Sequence, residues 1–221
     1  VERAMAMSGF FPRIGLMVWE NTHNLSGGRV IPLDVMEKTS EVARTHGLKI
    51  HVDGARIFNA VAASGVPVDR YAAVSDTIQF CFSKGLGAPV GSIVCGPADL
   101  IAEIRYLRKR LGGGMRQAGV IAAAARVALA GRDRLSEDHA LARVLGDAIA
   151  EKFPDAVDPS LVETNMVRVQ FAGLGIEWPE MKVRLDGAGI KVNPPLGGGW
   201  RIVTHRDVDA SDAERLLSAL P

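Results

Sequence analysis

An α/β fold follows from three features of this 221-residue sequence. Short apolar runs alternate with segments of helical periodicity up to about residue 153, the pattern of a mostly parallel sheet covered by helices. Two of those runs end in a charged residue followed by glycine, at the edge of an open sheet where ligands gather. Beyond that point strands and helices suit a small α+β domain with an antiparallel sheet. Two domains are expected, a partial large domain over 1–153 and a small one over 154–221, parted where Pro154 and Pro159 interrupt a helix.

Each element has its own signal. Ile14–Trp19 is a short apolar run that reads as a buried strand, and loop formers from Asn21 to Gly28 follow it. Pro32 and Asp34 open a helix whose apolar face includes Leu33, Met36, Val42 and Ala43, and Gly47 stops it. Lys49–Asp53 reads as a strand, Ala55–Ser64 as a helix, and Asp76–Ser83 as an aromatic and β-branched strand. A tight turn at Lys84–Gly87 leads to a strand over Val90–Cys95. Helices are predicted over Pro97–Leu111, Met115–Ala130 and Leu135–Lys152, with Met115 in the core. In the second domain Thr164–Phe171, Ile190–Asn193 and Trp200–Thr204 read as strands, and Trp178–Gly187 and Ser211–Leu220 as helices.

Composition narrows the function classes. A formal net charge of +1 gives no large field toward nucleic acid or an anionic membrane surface. By composition, the cluster Arg105, Arg108, Lys109, Arg110 and Arg116 reads as a solvated helix face. Cys81 and Cys95 sit in apolar runs as buried small hydrophobes do, and no spacing suggests a metal. A reducing, cytoplasmic setting is the default for such cysteine usage. No apolar run approaches the roughly 18 residues that span a bilayer. The first strong pattern already looks like an interior strand, so the chain is expected to begin partway through a larger domain.

Two segments carry the chemistry: His51-Val52-Asp53-Gly54-Ala55-Arg56 and Phe82-Ser83-Lys84-Gly85-Leu86-Gly87-Ala88-Pro89. Asp53 and Lys84 are 84 − 53 = 31 positions apart, room for one crossover helix and the next strand. Alone, Asp53 reads equally as a helix cap, and Lys84 as a turn lysine. Together they form the pair that pyridoxal 5'-phosphate (PLP) needs: an amine for its aldehyde and a carboxylate for its protonated ring nitrogen. The neighbouring glycines let a cofactor approach the backbone. A P-loop is not indicated, because no GxxxxGK[ST] is present.

The strings Glu20-Asn21-Thr22-His23-Asn24, HVDGARIFNA, SKGLGAPVGS, GGGMRQAG and RIVTH resemble the low-specificity L-threonine aldolases in order and spacing, from about Leu16 to the end. The resemblance implies a PLP enzyme of fold type I, lacking the N-terminal part of its large domain. It implies Lys84 as the lysine joined to the cofactor, Asp53 as the ring-nitrogen partner, and Ala55 against one ring face. Ser83 becomes a polar contact to the cofactor, and Arg116 approaches its phosphate from the same or a neighbouring subunit. Arg56 and Arg201 would grip the substrate carboxylate, with Lys109 at the active-site edge. The implied reaction cleaves L-threonine or L-allo-threonine to glycine and an aldehyde, in a homo-oligomer, dimer or tetramer, that takes an amino-acid substrate. Another fold-type I enzyme, a β-eliminating lyase or an aminotransferase, and a non-catalytic oligomerising fragment are the alternatives.

Overall fold

A computed structural model describes residues 1–6 and 13–221. The chain divides into two compact units: residues 1–22 with 31–133, and residues 23–30 with 134–221.

The first unit holds α1 (Glu2–Ala6), β1 (Leu16–Glu20), α2 (Leu33–Thr45), β2 (Lys49–Asp53), α3 (Ile57–Ser64), α4 (Val68–Ala73), β3 (Thr77–Cys81), β4 (Ser92–Cys95), α5 (Ala98–Arg110) and α6 (Gly119–Ala130). Its sheet has the order β1-β2-β3-β4. The first three strands are parallel, joined by crossover helices, and β4 runs antiparallel to β3. The mostly parallel sheet predicted from the sequence is therefore present. Met36 and Ala43 of α2, Ile50 and Val52 of β2, and Ile57, Ala60 and Tyr71 of α3 and α4 are all fully buried. Alternating strand residues and one face of each helix thus turn inward, and Ala43, Leu48 and Ile50 pack together. Trp19 extends that packing and donates its indole N–H to Ser40 Oγ at 3.0 Å.

The second unit holds α7 (Leu135–Lys152), β5 (Met166–Gln170), α8 (Trp178–Gly187), β6 (Gly199–Val203) and α9 (Ala210–Ala219). β5 and β6 pair antiparallel. Val167, Val169, Trp200, Ala142, Leu145, Ile149, Met181, Leu185 and Leu216 build its core. A capping box starts α9: Asp209 accepts from the backbone of Ser211 and Asp212, and the Asp212 carboxylate takes the Asp209 N–H.

Residues 23–30 form a small hairpin of this unit, closed by His23 N–H to Arg29 O at 2.9 Å and Gly28 N–H to His23 O at 2.9 Å. Gly27 and Gly28 have φ values of 87° and 78° and pack against β5, where a Cβ on Gly28 would come within 2.5 Å of Thr164 Oγ1. The Thr164 hydroxyl donates to Gly28 O at 2.8 Å.

Several expectations change. Helix α7 was expected in the first domain, yet its apolar face packs within the second unit, so the compact units part at Asp133/Arg134 rather than at 153/154. No strand forms at Ile190–Asn193: Pro194 and Pro195 follow it without N–H groups for a ladder, and Ile190 and Val192 serve only as packing against the core. Cys81, at the end of β3, is half-buried, and Cys95 is exposed because it lies on β4, an edge strand with every residue exposed. Met115 is exposed, lying in the segment between α5 and α6 rather than on a packed helix. The helix α4 was not anticipated in its short stretch after Pro67. Among the described residues no helix is long and apolar enough to cross a membrane.

Candidate active site

Parallel strands bring their carboxyl ends to one edge, and Asp53 and Lys84 both belong to that edge of the first unit. Asp53 ends β2, paired in register with Gln79 of β3. Lys84 lies three residues beyond the end of β3, in a turn closed by Gly87 N–H to Lys84 O at 2.8 Å and Ala88 N–H to Phe82 O at 2.9 Å. The loop after Asp53 is tied to β3, just ahead of the Lys84 loop, by Gly54 N–H to Gln79 O at 2.9 Å and Cys81 N–H to Ala55 O at 3.4 Å.

The Asp53 carboxylate is held on one side. Its Oδ1 accepts the Ala55 N–H at 3.1 Å and the side-chain amide of Gln79. Among the described residues Oδ2 accepts no hydrogen bond, so one oxygen anchors the group and the other remains for a donor. Lys84 is exposed, and its ammonium has no hydrogen-bond or ion-pair partner among the described residues. Beside the carboxylate, Gly54 is buried where a Cβ would approach Gln79 O to 2.8 Å and the Ile57 Cβ to 3.0 Å. Close packing, rather than turn geometry, demands glycine there.

The other expected residues divide in two. Ala55 and Arg56 form the half-buried turn after Asp53, and Ser83 sits exposed next to Lys84, its hydroxyl 3.4 Å from Gly91 O. These join Asp53 and Lys84 on the sheet edge. Lys109, in the last turn of α5, and Arg116, between α5 and α6, are exposed and make no hydrogen bond or ion pair with that group among the described residues. The Gly112–Gly114 break folds over the first of them: a Cβ at Gly114 would lie 2.6 Å from Lys109 Cδ. Arg201 lies on β6 of the second unit, where its guanidinium donates to the Asn24 side chain.

Gln79 was missed from the sequence. Its signal was a single amide within the otherwise apolar run of β3, directly opposite Asp53 once the strands pair.

A pyridine-ring cofactor with a protonated nitrogen needs an oriented anionic oxygen and an accessible amine. The half-anchored carboxylate of Asp53 and the unpaired ammonium of Lys84 fit that donor set. The recess between the two loops, bordered by Ala55, Arg56, Cys81, Gly85 and Leu86, is only about 10 Å³, too small for a ring. The fit rests on the chemistry of the edge, not on an enclosed cavity.

The sequence matches the family described as Beta-eliminating lyase over residues 1–172. The chain belongs to that family. A low-specificity L-threonine aldolase of Arabidopsis thaliana is 41% identical over 213 residues, covering 96% of this chain and 60% of the relative. The low specificity L-threonine aldolase of Escherichia coli K12 is 40% identical over 201 residues, covering 90% of this chain and 57% of the relative. This chain thus spans about three fifths of the length of these curated relatives. A solved structure of Leishmania major threonine aldolase superimposes with a TM-score of 0.70 at 18% identity, over 92% of this chain and 59% of that one, and shows a shared fold.

Proposed function

We propose that the protein containing this chain is a PLP-dependent lyase that cleaves L-threonine or L-allo-threonine to glycine and an aldehyde. The observation that carries this reading is the sheet edge on which Asp53, fixed by Gln79 and Ala55, accompanies the exposed Lys84. The names of the relatives support the substrate class. PLP, when bound, supplies an electron sink for the pair released at Cα.

Lys84 would supply the amine that holds the cofactor's aldehyde. Asp53 keeps the proton on the ring nitrogen, and the Gln79 amide and Ala55 N–H keep Asp53 pointed. Ala55 is assigned to one face of the ring, where its methyl group packs. Ser83 offers a hydroxyl beside Lys84, and Arg116 a cation for the cofactor phosphate. Arg56 and Arg201 are assigned to the substrate carboxylate, which a planar guanidinium grips through two parallel N–H bonds. Holding that carboxylate fixes rotation about the Cα–N bond and selects Cα–Cβ as the bond that breaks. Positioning of this kind is worth up to about 7–11 kcal/mol. Lys109 is assigned to the rim.

We place the enzyme in the cytoplasm, where two unpaired cysteines are stable, and as a homo-oligomer. Large apolar side chains support self-association: Leu111, Val120 and Val127 are 86%, 78% and 75% exposed.

Two measurements test the reading. The intact protein with added PLP is expected to show a visible absorbance band that Lys84→Ala abolishes. Incubation with L-threonine is expected to yield glycine and acetaldehyde in equal amounts. A band without aldehyde, with pyruvate from serine or amino transfer to a keto acid instead, would assign the site to β-elimination or transamination.

A further inference from the structure

Two arginines stand side by side on one face of the second unit. Arg168 of β5 is directly opposite Arg201 of β6. Cross-strand partners project to the same face, their Cβ atoms about 4.5–5.5 Å apart, and like charges there are destabilising. The neighbouring pair Val169 and Trp200 faces the core, so the arginines face away from it.

Neither arginine has an ion-pair partner among the described residues. Asp155 and Asp158 line the same recess as Arg168 without pairing with it. A further acid, Glu163, is committed elsewhere: it accepts from Arg29 Nε at 3.0 Å and from Val30 N–H at 2.7 Å. Both arginines are instead held by neutral acceptors of the 23–30 hairpin. Arg201 donates to the Asn24 side chain, and Arg168 Nη1 donates to Leu25 O at 2.8 Å. The hairpin is itself clamped to the segment just before β5 by the Thr164 hydroxyl. Gly199 completes the arrangement, because a Cβ there would lie 2.8 Å from Arg168 Nη2 and 2.9 Å from its Cζ. A paired cation held in place by neutral groups keeps its full charge for an anion, and each guanidinium has five N–H donors to offer.

We propose that Arg168 is a third carboxylate-binding residue, added to Arg56 and Arg201, with Asn24 and Leu25 holding the guanidinium groups of Arg201 and Arg168 ready for an amino-acid carboxylate. The inference rests on the assignment of Arg201 to the substrate carboxylate and adds to it a residue that the sequence motifs did not single out. Asn24 acts through Arg201 and is a positioning residue.

The test compares L-threonine with L-threonine amide, which lacks the carboxylate, in the intact PLP-loaded protein. Arg168→Gln is expected to raise KM for L-threonine about tenfold with kcat within about threefold, and to leave the amide unaffected. Arg168→Lys, which keeps the charge without the fork, is expected to fall between. Gly199→Ala keeps both charges and displaces only the Arg168 guanidinium, so it carries the test if Arg168→Gln does not fold; the same selective rise in KM is expected. Calorimetric titration with glycine makes the comparison without turnover, with weaker binding expected in each variant. Unchanged threonine KM and glycine affinity in both Arg168→Gln and Gly199→Ala, or equal losses for threonine and its amide, overturn the proposal. Arg201→Gln separates the two levels. If it weakens carboxylate binding while Arg168→Gln does not, only the role of Arg168 falls; if neither does, the reading of Arg201 falls with it.

Discussion

Asp53 illustrates how little separates a structural acid from a functional one. Its Oδ1 has two donors and its Oδ2 none among the described residues, an asymmetry that no sequence pattern reveals. Replacing Gln79 with Leu removes one donor while preserving much of the side-chain volume. The expected outcome is roughly tenfold weaker PLP binding in a spectroscopic titration, with the melting temperature changed little, because one charge-assisted bond at a partly exposed site is lost. Gly54→Ala acts differently. The added methyl would meet Gln79 O at 2.8 Å and the Ile57 Cβ at 3.0 Å, so a loss of about 1–3 kcal/mol is expected in chemical denaturation. The charged pair Asp53 and Lys84 was legible in the sequence because strand ends, glycines and spacing all converge there. Gln79 and Arg168 were not, since their roles depend on which residue lies opposite after pairing, and strand register is absent from a linear pattern.

Among the elements, α7 shows the same limit from another side. Its bounds match the expected Leu135–Lys152, yet the residues it packs against lie far along the chain, on β5 and α9. Periodicity identifies an apolar face but not the partner that covers it. The helix also carries a pH dependence. Burial holds His139 down to about 4 from its ordinary 6.5, because the charged imidazolium loses its hydration there. The neutral form is thus favoured in the folded chain. Stability from this group is complete above pH 6.5 and is lost as pH falls toward about 4. Burial raises the neighbouring Asp138 carboxyl against the opposing pull of Arg134, which has the opposite sign: its contribution is lost as pH rises through that raised value. Melting temperatures of the intact protein are therefore expected to drop between pH 6.5 and pH 4, and His139→Gln to flatten the drop. An equally steep profile in the variant would contradict this assignment. The strand expected at Ile190–Asn193 failed for a related reason: its alternation was real, but the β-ladder of the second unit ends with two strands.

At the scale of the molecule, the sheet edge and the two helices after it bury few residues. All of β4 is exposed, α5 has no buried residue, and α6 buries only Ala125 and Ala128. An alanine-rich helix with exposed valines gains little from standing alone in water. Light scattering on the intact protein is accordingly expected to report a mass above that of one subunit, and Val120→Glu with Val127→Glu to lower it. A monomer at micromolar concentration would refute the expected assembly.

The second unit borrows its hairpin from early in the chain, and this limits how the protein can be dissected. A polypeptide cut to begin at Arg134 would possess every strand and helix of that unit but not residues 23–30. Thr164, only 1% exposed in the folded chain, would lose the carbonyl that receives its hydroxyl proton, and Leu25 O would no longer restrain Arg168. Such a piece should be prone to aggregate, and supplying the hairpin as a separate peptide should restore its solubility.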